Sequence, residues 1–196
     1  MHIIASDFIS LDGVAQAPGG SEEDTDGGFA HGGWSMPFFD VQTMGAAVDE
    51  ALQGTDALLF GRRTWQVMAG AWPERAGDPF ADRMNELPKY VASRTLTQDD
   101  LGWNSTLLPA DDVMGAVRQL REREGGGIQV MGSLDLARQL IAEDLVDEYR
   151  LMIEPITLGG GKRLFPEDGT ARTLQLVSTT TANTGVQVCV YRRVRD

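Results

Sequence analysis

Apolar positions in this chain come in short runs separated by glycines, and the period of each run predicts its element. His2–Ile9 is rich in β-branched and aromatic residues and predicts a first strand. Pro37 stands at a first helical position, and Val41, Met44, Val48, Ala51 and Leu52 recur at helical spacing, so a helix is expected over Pro37–Gln53 with Gly54 ending it. Ala57–Phe60 is a buried strand broken by Gly61, with a short helix following to about Gly70. Asp78-Pro79 opens another, ending near Leu87. Lys89–Ala92 and Thr106–Leu108 are short strands. Asp111 or Asp112 caps a helix carrying Val113, Ala116, Val117 and Leu120, which Gly125–Gly127 terminates. Ile128–Met131 is a buried strand, and Gly132-Ser133 leads into a helix with Leu134, Ala137, Leu140 and Ile141. A long strand lies within Leu145–Thr157. Thr173–Thr181 and Val186–Val194 alternate as a hairpin turned by Asn183-Thr184-Gly185.

Strands alternating with helices, then a closing hairpin, predict an α/β fold: a mainly parallel, mixed central sheet flanked by helices with an antiparallel edge. No repeat or linker interrupts it, so residues 1–196 are read as one domain. A stretch from Asp12 to about Ser35, carrying Pro18-Gly19-Gly20, Glu22-Glu23-Asp24 and two further Gly pairs, has no periodicity. A loop of that length is either functional or disordered. Trp34, Phe38 and Phe39 at its exit either pack the core or wall a planar ligand.

Composition narrows the function. The 196 residues are 42% hydrophobic and 23% charged, with a net charge of −12. That field disfavours nucleic acid and anionic membranes as partners. The single Cys189 excludes an internal disulfide and reads as a small core residue, and two histidines exclude a His-rich metal site. With no apolar run of membrane-spanning length and no leader pattern, a cytoplasmic location is expected.

Three strand exits carry candidate chemistry: Gly61-Arg62-Arg63-Thr64, Ser93-Arg94-Thr95 and Gly132-Ser133-Leu134. A strand feeding a helix through glycine presents free N–H groups at the positive end of the helix dipole. Arginines there add forked donors for phosphate oxygens, though an exposed helix start with solvated arginines is the alternative. In a parallel sheet, strand ends share one edge, so the three together suit a ligand with several phosphates. Gly159–Lys162 tempts a phosphate-loop reading, but Arg163 stands where Ser or Thr is needed. No G-x-G-x-x-G follows a strand.

Strand–Gly-Arg-x-Thr-Trp, strand–Ser-Arg-Thr and strand–Met-Gly-Ser in this order resemble dihydrofolate reductase-like proteins. Ser10-Leu11-Asp12-Gly13, Lys89–Leu96 and Leu145–Leu151 are similar to one branch, the reductase domain of riboflavin-biosynthesis deaminase/reductases and its small stand-alone relatives. The resemblance implies an NADPH-dependent reductase of a small pterin- or pyrimidine-like heterocycle or a carbonyl compound, possible as a homodimer. It places Gly61, Arg62, Arg63 and Thr64 at the phosphates, Ser93 and Arg94 at the adenosine end and its 2′-phosphate, and Gly132, Ser133 and Leu134 at the pyrophosphate. Ala5, Val14 and Ala15 would pack near the nicotinamide, and Trp34 and Phe38 near the substrate. Dihydrofolate reductases carry a Trp-x-x-Pro-x-acid motif. Here Trp34-Ser35-Met36-Pro37-Phe38-Phe39-Asp40 moves the acid by one residue, about 100° around a helix. Asp40 is then either a catalytic acid or an acid of the helix's first turn. Asp12 is either a ligand contact or a turn residue before Gly13. An inactive nucleotide-binding module on the same fold is the alternative function.

Overall fold

The computed structural model describes residues 1–75 and 77–194. Its strands are β1 (His2–Ser10), β2 (Thr55–Gly61), β3 (Lys89–Ala92), β4 (Ser105–Leu107), β5 (Gly127–Met131), β6 (Glu148–Glu154), β7 (Leu174–Thr181) and β8 (Gln187–Arg193). The helices are α1 (Ala46–Gln53), α2 (Arg62–Ala71), α3 (Pro79–Glu86), α4 (Val113–Glu122) and α5 (Leu134–Ala142). All eight strands form one sheet in the order β4-β3-β2-β5-β1-β6-β8-β7, parallel from β4 to β6 and antiparallel in the closing hairpin. That is the mixed α/β sheet the alternation predicts. Among the described residues no helix is long and apolar enough to cross a membrane.

Strand periodicity of two divides the core between the faces. Ile3, Ala5, Ala57, Leu59, Ile128, Val130, Tyr149 and Leu151 pack with Val117 and Leu120 of α4 and Leu136, Leu140 and Ile141 of α5. On the opposite face Leu58, Phe60 and Val91 meet Leu52, Trp65 and Met84 of α1, α2 and α3. A smaller cluster joins Met44, Met152, Ala182 and Val186 with Phe8, Phe38 and Ala47. Cys189 is buried on β8, in the small-core role its neighbours imply.

One helix departs from expectation. Pro37 opens only a single 3-10 turn, Met36–Phe38, after which Phe39 and Asp40 are extended. Helical backbone resumes at Val41 as a π turn, Val41–Gly45, running into α1. The cause is Asp40, whose carboxylate accepts from the N–H groups of Gln42 and Thr43 and caps the new start. Continuous helical backbone therefore begins four residues later than Pro37 suggested.

Asp112 caps α4 in the same way, accepting from Gly115 N at 2.9 Å. Asp112→Ala is expected to destabilise the protein by about 1 kcal/mol through the lost cap. A urea denaturation midpoint lowered without a change in slope would show it; an unchanged midpoint would count against the cap.

The 12–35 stretch is built, not loose. Gln16, almost fully buried, donates to the carbonyls of Asp24 and Asp26 and accepts from Lys162 N, while Trp34 Nε1 donates to Gln16 O at 2.8 Å. Lys162 Nζ lies 2.6 Å from Asp24 and 2.8 Å from Asp26. The Gly159–Lys162 segment thus serves as a clasp on this loop.

Candidate functional site

Sheet order decides where the site lies. From β1 the chain crosses over α1 to β2 and β3, then returns through α4 to β5 between β2 and β1, and leaves through α5 to β6. This reversal opens a crevice at the carboxyl ends of the strands, the usual ligand position in such sheets. The exits of β3, β2 and β5 are adjacent there, as the three sequence junctions require.

The junctions touch one another. Gly61 N donates to Ser133 Oγ at 2.7 Å, and a Cβ on Gly61 would come within 3.2 Å of that side chain. Gly132 and Ser133 are both left-handed, at φ +68° and +62°. For a non-glycine residue this costs about 1 kcal/mol, and such strain clusters at functional turns. Ser133 spends its hydroxyl on Gly61 and gives α5 no side-chain cap; α2, entered from Gly61, has none either. Helices α3 and α4 are each capped by aspartate instead, α4 at the cleft's edge through Asp112. The starts of α2 and α5 keep their N–H groups and dipole ends open to an anion.

The arginines differ in availability. Arg63 is paired with Asp26 at 2.7 Å on the surface, and Lys162 and Arg63 together hold that carboxyl down to about 2. Arg62 donates to Gln66 within its own helix. Arg94 makes no hydrogen bond or ion pair among the described residues, is exposed and faces the crevice. Ser93 Oγ accepts from the N–H groups of Thr95 and Leu96, shaping the turn that presents Arg94.

The crevice is an open cleft of about 1860 Å³. One small-molecule site typically occupies about 300–1,000 Å³, so there is room for more than one ligand. Its walls include Ala15, Gly61, Arg62, Arg63, Thr64, Ser93, Arg94, Gly132, Ser133 and Leu134 from the residues nominated in the sequence. Ala5 and Val14 are fully buried behind them. Trp34 is buried against Gln16, and Phe38 packs in the smaller core cluster; Met36 and Phe39 line the cleft in their place. Asp12 and Asp40 lie outside its walls. Asp12 accepts from Ser10 Oγ and from the N–H groups of Leu158 and Gly159, which hold its carboxyl down to about 2. At Asp40 burial works upward, but the donors Gln42, Asn183 and Thr43 outweigh it. Both carboxylates shape backbone.

Several cleft residues escaped the sequence reading. Ser6, Gln129 and Arg150 stand on three adjacent strands, Ser6 beside Arg150 in register and accepting from Gln129 Nε2 at 3.0 Å. Phe8, two residues on from Ser6, packs with α1 residues, so this polar row lies on the α1 face. Thr43, Ala46, Ala47 and Glu50 border the same cleft. Arg150 Nε donates to Glu148 Oε1 at 2.8 Å and Arg192 Nε to Glu148 Oε2 at 3.0 Å, leaving this corner net positive. On the opposite face of β1, Asp7 is buried at the cleft wall, its Oδ2 without a hydrogen-bond partner among the described residues, and burial pushes its carboxyl up to about 8. Glu154 is buried too, bonded to Ser35 Oγ at 2.7 Å, and burial raises it to about 7. The available signal was polar residues inside parallel strands buried on both faces, which should read as unbroken apolar runs.

Comparison with known proteins agrees with this architecture. A family model described as the RibD C-terminal domain matches residues 1–188. The uncharacterized protein YyaP of Bacillus subtilis (strain 168) is 32% identical over 145 residues, covering 71% of this chain and 75% of that protein. Among solved structures, a protein assigned to riboflavin biosynthesis from Shewanella sp. PV-4 superposes with a TM-score of 0.74 at 20% identity, each chain covered completely. Dihydrofolate reductase from Enterococcus faecalis, complexed with NADP(H) and RAB-propyl, gives a TM-score of 0.60 at 14% identity, with 99% of this chain and 97% of that one covered. At these identities the structural likeness carries the fold, which is dihydrofolate reductase-like.

Proposed function

This chain belongs to the RibD C-terminal domain family, and on that footing we propose that it is an NADPH-dependent reductase of a small polar heterocycle or carbonyl compound. The observation that carries the reading is the pair of uncapped helix starts joined by the Gly61–Ser133 contact, with unpaired Arg94 one strand away. The left-handed Gly132-Ser133 turn and the space that a Cβ on Gly61 would fill fit a phosphate chain passing close to the backbone.

In this reading Gly61, Arg62 and Thr64 and the Gly132–Leu134 turn hold the pyrophosphate, and Ser93 and Arg94 the adenosine end. Arg63, already neutralised by Asp26, secures the 12–35 loop. When bound, the cofactor supplies the hydride. The chain's own part is to orient the ring beside β1, keep water out with Met36 and Phe39, and present Ser6, Gln129 and Arg150 to the substrate. A hydroxyl, an amide and a guanidinium in one row suit a planar ring bearing carbonyl groups. Trp34 and Phe38 then support the substrate wall from behind.

Arg94→Ala is expected to weaken NADPH binding about 10- to 100-fold, the worth of one charge-assisted hydrogen bond to phosphate, and to leave NADH unaffected. Calorimetric titration reads both; no NADPH binding by the unaltered protein overturns the proposal. A nucleotide-binding module without turnover is favoured by one observation, that Asp12 and Asp40 are both committed to backbone donors. NADPH oxidation with any member of a pterin, pyrimidine and carbonyl panel rules that module out.

A further inference from the structure

Strand β5 stays paired to β1 only as far as Ser6 and Met131, then turns away through Gly132-Ser133. Strand β6 continues beside β1 to Ser10 and Glu154. From Asp7 onward the β5 side of β1 therefore borders the cleft instead of a strand. Asp7 is the first residue past the split, where β5 gives way to the Gly132-Ser133 turn. Its surroundings are apolar: Ala5 and Ile9 on its own strand face, Leu151 opposite on β6, and Leu136 and Ala15 in the same cluster. Among the described residues nothing donates to or pairs with Oδ2. A buried polar group with no partner costs about 1–3 kcal/mol, so its retention in a cleft wall calls for a ligand that supplies the partner.

The order of exits along the crevice says which part of a ligand arrives there. Resting on the dinucleotide reading above, the adenosine end lies at β3 and the pyrophosphate at β2 and β5, so the far end reaches β1. We propose that Asp7 is the contact for the carboxamide of the nicotinamide ring, its carboxyl hydrogen-bonding the amide and fixing the ring's rotation. Enclosed in apolar surroundings, the carboxyl holds its proton at neutral pH and donates the O–H to the amide oxygen. The amide NH₂ remains for a backbone carbonyl or solvent. This gives the strand a reason to carry an acid where its neighbours are Ala5 and Ile9, and it makes ring orientation depend on one side chain.

The experiment titrates the full-length protein with NADPH and with 2′-phospho-ADP-ribose, which is the same molecule without the nicotinamide ring. Asp7→Leu keeps the size and removes all hydrogen bonding; Asp7→Asn keeps a donor. The expected result is NADPH affinity lowered at least tenfold in D7L, 2′-phospho-ADP-ribose affinity unchanged, and most of the NADPH affinity recovered in D7N. Equal loss for both compounds, or no loss for either, overturns the assignment of Asp7. Should the unaltered protein bind 2′-phospho-ADP-ribose and NADPH equally well, the ring makes no net contact and the assignment falls while the phosphate site stands. Should it bind neither, the dinucleotide reading beneath it falls.

Discussion

Asp7→Asn is expected to remove most of the pH dependence of stability between about pH 4 and pH 8. The folded-state carboxyl titrates near 8, against 3.8 for the exposed group, with burial the cause. Through that window the folded protein holds one proton more than the unfolded chain, so stability falls as pH rises. At about 1.36 kcal/mol per unit the loss over the four units is on the order of 5 kcal/mol. Glu154, raised from 4.5 to about 7, adds a smaller fall of the same sign that ends near neutrality. The carboxylates of Asp12 and Asp26, held down near 2, act in the opposite sense but only below about pH 4. Urea unfolding at pH 5, 6, 7 and 8 separates these contributions. D7N should be flatter than the unaltered protein and more stable relative to it at pH 8 than at pH 5, with Glu154→Gln removing only the part below pH 7. Parallel pH profiles for D7N and the unaltered protein would show that Asp7 ionises normally.

The second large effect is expected at Phe60. This side chain is fully buried between the sheet and α2, packs with Leu58, Trp65, Met84 and Val91, and stacks on Trp103 with ring centroids 6.1 Å apart and planes at 16°. Phe60→Ala removes a ring from a packed core and should cost about 3–5 kcal/mol, read as a lowered denaturation midpoint. Because Gly61 follows directly, relaxation around the cavity also moves the donor that holds Ser133 Oγ, and NADPH affinity should fall in the same variant. Val41→Ala is the control: Val41 is 74% exposed and its loss should change stability by no more than about 0.5 kcal/mol. A Phe60 variant that unfolds at the same denaturant concentration as the unaltered protein would contradict this account of the core.

Much of the fold was legible because its signals are local. Ala57–Phe60, Ile128–Met131 and the hairpin either side of Asn183-Thr184-Gly185 appear within a residue or two of where the apolar runs placed them. The three strand exits were legible for the same reason, since a glycine before a helix start at Gly61 and Gly132 and a Ser-Arg-Thr turn after Ala92 are features of consecutive residues. Helix α1 was misplaced because Pro37 and Asp40 are both legitimate start signals, and only the capping bonds of Asp40 choose between them. The acids Asp12 and Asp40 looked like chemistry because a sequence shows a carboxylate without its donors. Besides local donors, each accepts from residues more than a hundred positions away, Leu158 and Gly159 in one case and Asn183 in the other.

By itself the sequence determined most of the elements, the α/β class and the three turns at the strand exits, because periodicity, capping and turn chemistry act over a few neighbouring residues. Tertiary structure alone decided that β5 inserts between β2 and β1, and with it everything that follows from the insertion. It sets Gly61 against Ser133, splits the sheet at Asp7, lines up Gln129, Ser6 and Arg150, and leaves Arg94 unpaired while Asp26 takes Arg63. These are contacts between residues distant in the chain. Their energies depend on burial and on which partner arrives, quantities that no short stretch of sequence contains.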